Sequence, residues 1–470
     1  MLRWATACFL LLILASTSSL RAADERPNIL LLFTDDQCFD TIAALGRNRE
    51  VMTPNLDRLA RRGVAFTNAY NMGGWNGAIC IASRTMMNTG RFIWRAHAVH
   101  SKLAVEAEAE RMIPQLFSTA GYETFISGKW HVSIEAGKIY DHVTHIRPGM
   151  PKDTPSSYSR PNDLGNWSPW DPSLGGFWEG GQHWSEVLAD DGRVFLEQAA
   201  KTDAPFYMYL AFNAPHDPRQ SPREFVEMYE REKIQIPSNF MPENPFMEVM
   251  GAGKGLRDEK LAPWPRTRAA VQLHRQEYYA LISHLDAQIG KILHDLERTG
   301  QADNTYIVMT ADHGLACGQH GLLGKQSMYE HSMKAPLILV GPGIPANQQI
   351  DTPVYVQDFV ATALELANIE QPAHVEFQSL LPLVRGDRKQ QYPAIYGAYE
   401  MNKQRMIRQG EYKLIYYPAG EHYLLFNVVD DPQEQINLAD HPEYAGVIRE
   451  LKAELHKLML AMDDPLLTAK

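Results

Sequence analysis

Apolar residues in this chain concentrate in short runs at 29–33, 122–126, 206–212, 306–309 and 337–340, of which only 122–126 contains polar residues, Glu123 and Thr124. None alternates with polar residues, so each predicts a strand covered on both faces. Helical patterns lie between them. Thr53 and Pro54 form a start signal and Gly63 a stop, which predicts a helix with Thr53 as its cap. Over 278–296, Tyr279, Ile282, Leu285, Ile289, Ile292 and Leu296 recur at helical spacing and Gly300 follows. Strands alternating with helices predict an α/β domain around a large, mainly parallel sheet, over residues 24–385. Two long stretches, 148–184 and 236–267, are rich in proline and read as elaborated loops, which tend to be functional. Beyond Gly386 the pattern changes. Residues 394–399 and 412–417 alternate like antiparallel strands and 447–462 is an amphipathic helix, so 386–470 reads as a small α+β subdomain. No internal repeat is visible.

The first 23 residues change the picture of charge and location. Arg3 precedes an apolar run at 7–15, too short for a bilayer, and Arg21-Ala22-Ala23 follows. This is the pattern of a cleaved signal peptide, which predicts an exported protein, periplasmic or secreted. Removing it takes away two arginines and no acid, so the net charge of -11 becomes -13. That balance argues against a nucleic-acid partner, and an anionic substrate requires cations concentrated in one pocket. The remaining cysteines, Cys38, Cys80 and Cys317, are too few for a disulfide framework. Cys38 and Cys317 read as small buried thiols, with a disulfide between them as the alternative.

Chemistry collects where the buried runs end. Residues 29–33 lead into Asp35-Asp36, 122–126 into Lys129 and His131, 206–212 into His216, and 306–309 into Asp312-His313. Open parallel sheets build their sites at the carboxyl ends of strands. Three carboxylates cannot share one rim as bare anions, and a hard divalent cation resolves the repulsion. Asp35, Asp36 and Asp312, completed by His313, suit calcium or magnesium better than zinc. Another signal is Cys80-Ile81-Ala82-Ser83-Arg84, followed by Thr89-Gly90-Arg91. A cysteine opening a helix is usually a small buried hydrophobe, although a helix start also favours an anion beside it.

These residues resemble the signature of the sulfatase family: Cys-x-Pro/Ala-x-Arg and then Thr-Gly-Arg. Asp35-Asp36, Thr53-Pro54-Asn55-Leu56-Asp57, Gly128-Lys129-Trp130-His131, Pro215-His216, Asp312-His313-Gly314, His320-Gly321 and Lys325 match the family's further motifs in order. The likeness extends from Pro27 to about Leu438, and is strongest to members acting on polysaccharides and glycosaminoglycans and to iduronate-type enzymes. It implies an alkaline-phosphatase-like fold and hydrolysis of sulfate monoesters on a sulfated carbohydrate. Cys80 would be converted by a maturase to formylglycine, whose hydrate attacks sulfur, with calcium, or magnesium, bound by Asp35, Asp36, residue 80, Asp312 and His313. Asp312 would also accept the proton of the attacking hydroxyl. Arg84, Lys129 and Lys325 would hold the hydrate and the sulfate oxygens, His216 with Lys325 would protonate the leaving alcohol, and His131 would act as base in releasing sulfate. His320 would contact substrate or order the loop before Lys325. Ala82, where many members carry proline, bears on which maturase acts. Phosphonate monoester and phosphodiester hydrolases of the same superfamily share these motifs. A non-catalytic glycan binder would be expected to lack one of them.

Trp167, Trp170, Phe177, Trp178, His183 and Trp184 crowd the first loop. Aromatic faces suit sugar rings, so this loop either walls a saccharide subsite or packs on itself. Trp75, Asn76, Trp94, His97 and His100 flank the Cys80 helix, where packing is the simpler role and the sugar pocket the alternative.

Overall fold

The computed structural model describes residues 26–46, 48–160, 167–251 and 253–468. The segment read as a signal peptide lies outside the described residues. Among these residues no helix is long and apolar enough to cross a membrane.

Eight strands form the main sheet: β1 (Asn28–Thr34), β2 (Val64–Phe66), β3 (Glu123–Lys129), β4 (His142–Arg147), β5 (Phe206–Ala211), β6 (Thr305–Ala311), β7 (Leu337–Val340) and β8 (Gln348–Ile350). Their spatial order is β8-β2-β7-β6-β1-β5-β3-β4. From β6 to β4 every pairing is parallel, while β7 runs antiparallel to both β6 and β2. Strand β1 shows why its run is continuous. Ile29, Leu31 and Phe33 enter the core on one face of the sheet, and Leu30 and Leu32 the core on the other. All five predicted strands are present.

The helix read from Tyr278 to Leu296 lies within α4 (Arg268–Arg298), which starts earlier, where the Thr267 side chain accepts from the Ala270 amide. Helix α1 (Pro54–Arg62) starts and stops as predicted but is capped differently. The Thr53 hydroxyl donates to Asp57 and accepts from the Ala43 amide. The first-turn amides of Asn55 and Leu56 instead donate to Asp286 on α4, at 3.1 and 2.7 Å.

The second sheet contains β9 (Ile395–Tyr399), β10 (Gln404–Gln409), β11 (Tyr412–Tyr417) and β12 (His422–Asn427), all antiparallel, with helix α6 (Ala445–Ala461) packed on it. Its fifth strand, Gly73–Gly74, comes from the first part of the chain and pairs with Ala398 and Tyr399. A Cβ on Gly73 would collide with the Ala398 carbonyl, so only glycine fits this approach. Strand β10 escaped the pattern because it buries charge. Arg405 is enclosed and forks onto Asp464, with bonds of 2.6 and 2.7 Å.

Candidate active site

The carboxyl ends of β1, β3, β5 and β6 deliver their side chains to one rim, and helix α2 (Ile79–Thr89) adds Cys80 in its first turn. Asp35, Asp36, Arg84, Lys129, Asp312 and His313 are all fully enclosed. Above them lies a cavity of about 590 Å³, lined by Cys80, His131, His216 and Lys325 together with Met150, Leu256, Arg257, Asp258 and Gln326. A smaller groove at Arg61, Arg62 and Glu297 holds none of these groups.

Cys80 is the centre of the cluster. Its Sγ lies 3.4 Å from His313 Nε2 and 3.7 Å from both Asp35 Oδ1 and Lys325 Nζ. One helical turn on, Arg84 donates to Asp312 at 3.3 Å and to Asp35 at 3.1 Å, and is steadied by the Lys129 carbonyl and the Tyr209 hydroxyl. Lys129 Nζ lies against Asp35. Lys325 Nζ donates to both oxygens of Asp36 at 2.8 Å and lies 2.9 Å from His216 Nε2. His216 Nδ1 faces Asp217, 3.0 Å from Oδ1. Asp36 and His131 hold left-handed backbone, with φ of 60° and 52°. Strain of this kind gathers at functional sites because the surrounding structure over-determines it.

Burial dominates the electrostatics. It pushes the Cys80 thiol far above its ordinary range, although Lys325 opposes this. An unmodified Cys80 therefore stays a thiol, which is a poor nucleophile. Burial pulls the Lys129 ammonium down to about 7 against the attraction of Asp312, and pulls His131 down to about 2 with Lys129 adding to the effect. Burial would raise Asp312, but His313 and Arg84 hold it well below the usual carboxylate range.

The donor set fits a hard divalent cation. One candidate ligand atom each from Asp35, Cys80, Asp312 and His313 falls within 4.8 Å of the others, and so does a second set of Asp35, Asp36, Cys80 and His216. His313 Nδ1 lies 2.9 Å from the Gly314 carbonyl, so the proton belongs there and the Nε2 lone pair faces the cluster. Three carboxylates already balance Arg84, Lys129 and Lys325. A divalent cation would leave the site positive, the state that suits an anionic substrate.

Several expected residues lie elsewhere. His320 stacks on Tyr329 with ring centres 3.9 Å apart, lies 3.0 Å from the Glu434 carbonyl through Nε2, and does not line the cavity. The six aromatic-loop residues also stay out of it: Trp167 is buried and donates to Glu277, and Phe177 packs on His183 and Trp184. The described aromatics of this loop pack on one another and on Glu277, which is the packing alternative of the two readings. Trp75 packs on His97 and His100, Trp94 donates to Tyr396, and Asn76 accepts from the Ala78 amide just before α2. Cys38 and Cys317 are free, buried thiols. The residues missed were Asp217, Arg257, Asp258 and Gln326. The last three line the cavity; for Arg257 and Asp258 the sole signal was the length of the 236–267 loop, whereas Gln326 follows Lys325 directly.

The chain matches the family model described as Sulfatase over residues 27–369, and the model described as N-sulphoglucosamine sulphohydrolase, C-terminal, over 318–461. It belongs to the sulfatase family, and is a sulfuric ester hydrolase. It is 26% identical to an N-acetylglucosamine-6-O-sulfatase of Bacteroides thetaiotaomicron, over 91% of this chain and 85% of that one. It is 28% identical to a choline-sulfatase of Rhizobium meliloti, over 89% and 83%. Among solved structures it resembles a protein in complex with its substrate D-glucosamine-2-N,6-O-disulfate, with TM-score 0.73, 24% identity and coverage of 93% and 98%. It also resembles a phosphonate monoester hydrolase from Silicibacter pomeroyi, with TM-score 0.75, 20% identity and coverage of 94% and 96%. At these identities the two structures speak for the fold.

Proposed function

We propose that the chain removes O-sulfate from a sulfated saccharide outside the cytoplasm, with residue 80 as formylglycine and one divalent cation, calcium before magnesium. The observation that carries this is the seat of Cys80. It opens a helix on the cavity floor, ringed by Asp35, His313 and Lys325, yet burial holds it as an inert thiol. Formylglycine at this position supplies, as its hydrate, an oxygen nucleophile and an exit by return to the aldehyde. The cation, held by Asp35, Asp36, Asp312 and His313, would polarise oxygen on residue 80 and on the sulfate.

The chain's own residues do the rest. Arg84 and Lys129 flank residue 80 and hold negative charge at the cavity floor. Asp312 would accept the proton of the attacking hydroxyl. His216 Nε2 and Lys325 Nζ, 2.9 Å apart, both line the cavity and are placed to protonate a departing alcohol. His131 lines the same cavity, and its Nδ1 has no partner among the described residues, so it is free to accept a proton as sulfate is released. The saccharide class rests on the named relatives, and export on the N-terminal pattern.

Mass spectrometry of the Cys80 peptide, on protein made with a maturase, tests the reading. An aldehyde in place of the thiol supports it, and an intact thiol in fully active protein sinks it. Turnover of an aryl sulfate should exceed that of a phosphate diester, which separates it from the phosphonate hydrolases of similar fold. Cys80→Ala should lower that turnover by about 10⁴-fold or more.

A further inference from the structure

The 236–267 loop carries more than a wall. It places Arg257 and Asp258 at the cavity, with Arg257 beside His216. Arg257 is built differently from its neighbours. Arg266 on the same loop is fully enclosed and spent on Glu259 and carbonyl oxygens. Arg257 keeps 38% of its side chain exposed while lining the cavity. Its Nε and Nη2 donate to Asp258 Oδ1 at 3.1 and 2.6 Å, and Nη2 reaches Asp217 Oδ1 at 3.2 Å and lies 3.4 Å from His216 Nε2. Both carboxylates are buried, and Asp258 is braced further by Gln326 at 3.0 Å. The guanidinium is therefore locked along one edge, and its Nη1 has no protein partner among the described residues.

We propose that Arg257 is a specificity residue that binds a second anionic group of the substrate, a sulfate or carboxylate beside the ester that is cleaved. A rigid planar fork with Nη1 unengaged, on a residue that lines the cavity, suits an oxyanion. The buried Asp217 and Asp258 fix its direction, and Gln326 closes the ring behind it. Arg84 and Lys129 beneath the cavity, and Lys325 and Arg257 in its lining, bring four cations to one site in a chain whose net charge is -11. The first three engage the carboxylates around residue 80, and only Arg257 stands apart at the cavity's exposed side. The proposal rests on the sulfatase reading above.

The test uses formylglycine-bearing enzyme, verified by mass spectrometry, with calcium present. The probes are 4-nitrophenyl sulfate, glucosamine 6-O-sulfate, glucosamine 2-N,6-O-disulfate, and a 6-O-sulfated disaccharide carrying a uronate. The quantity read is the gain in kcat/KM that a second anionic group gives over glucosamine 6-O-sulfate. Arg257→Ala should lower every rate, because Arg257 touches His216, but should also cut that gain by about tenfold to a hundredfold, mostly through KM. Arg257→Lys should restore part of it. A gain with the disulfate alone assigns the site to sulfate, and a gain with the uronate alone assigns it to carboxylate. No gain in the parent enzyme, or equal loss on all probes in the variant, overturns the proposal. A parent enzyme inactive on 4-nitrophenyl sulfate as well as on the sugars would instead sink the sulfatase reading beneath it.

Discussion

His131 shows how much a single residue demands of its neighbours. Its left-handed backbone points the ring into the cavity, and Gly149 packs against that ring so closely that a Cβ would collide with it. Gly149→Ala should displace the imidazole and lower kcat by about a hundredfold. Aryl sulfate turnover checks this, and a rate equal to the parent's would remove His131 from the mechanism. Asp358 is a second case, away from the site. Burial raises its carboxyl from 3.8 to about 7, against the hydrogen bond from Tyr392. The folded chain therefore holds that proton more tightly than the unfolded chain. The stability it contributes is full below pH 3.8 and is lost as pH rises through about 7. Denaturant unfolding of Asp358→Asn should depend less on pH across that window than the parent does. Parallel curves would refute the assignment.

At the scale of elements, the start of α1 is made by a residue some 230 positions away. Asp286 on α4 accepts the first-turn amides, while the expected cap, Thr53, turns to Asp57. Asp286→Ala should destabilise the protein by about 2 kcal/mol, since a cap and a buried acceptor are lost together. Thr53→Val should leave those amides satisfied. A urea midpoint unchanged in Asp286→Ala would show that the helix start is held by other contacts. Strand β10 makes the related point for sheets. Arg405 is fully buried, and its charge is satisfied by Asp464 beyond the end of α6. Hydrophobic periodicity cannot see a buried ion pair whose partner is far along the chain.

For the molecule as a whole, the two sheets have separate cores, and α2 reaches both, with Met87 in the main-sheet cluster. Ala82 and Met86 of α2 pack in one cluster with Tyr396, Met406 and Leu414, and Gly73–Gly74 completes the second sheet. The helix that bears Cys80 is thus held between both parts of the chain. The central cluster of Asp35, Asp36 and Asp312 faces an equal number of cations, so a divalent ion bound there should couple to global stability. Calcium at a hundred times its dissociation constant should add about 2.7 kcal/mol and raise Tm by several degrees. Asp312→Ala should abolish that shift in differential scanning calorimetry. A Tm indifferent to calcium and magnesium in the parent would count against the cation site.

The sequence alone determined the five buried strands, because a run covered on both faces is dominated by apolar residues, even where Glu123 and Thr124 interrupt one of them. It also determined the membership of the cluster at their carboxyl ends, because each chemical residue follows its strand within a few positions. Cys80 and Arg84 were legible as a pair, since four residues place them on one helix face. Only the tertiary structure decided which side chains of the two long loops reach the cavity, Pro148, Gly149 and Met150 from the first and Leu256, Arg257 and Asp258 from the second. The aromatic stretch turned inward to Glu277 and His183, and Arg257 arrived from the other loop. Loop side chains carry no periodicity, so where they point is set by the partners that folding brings to them.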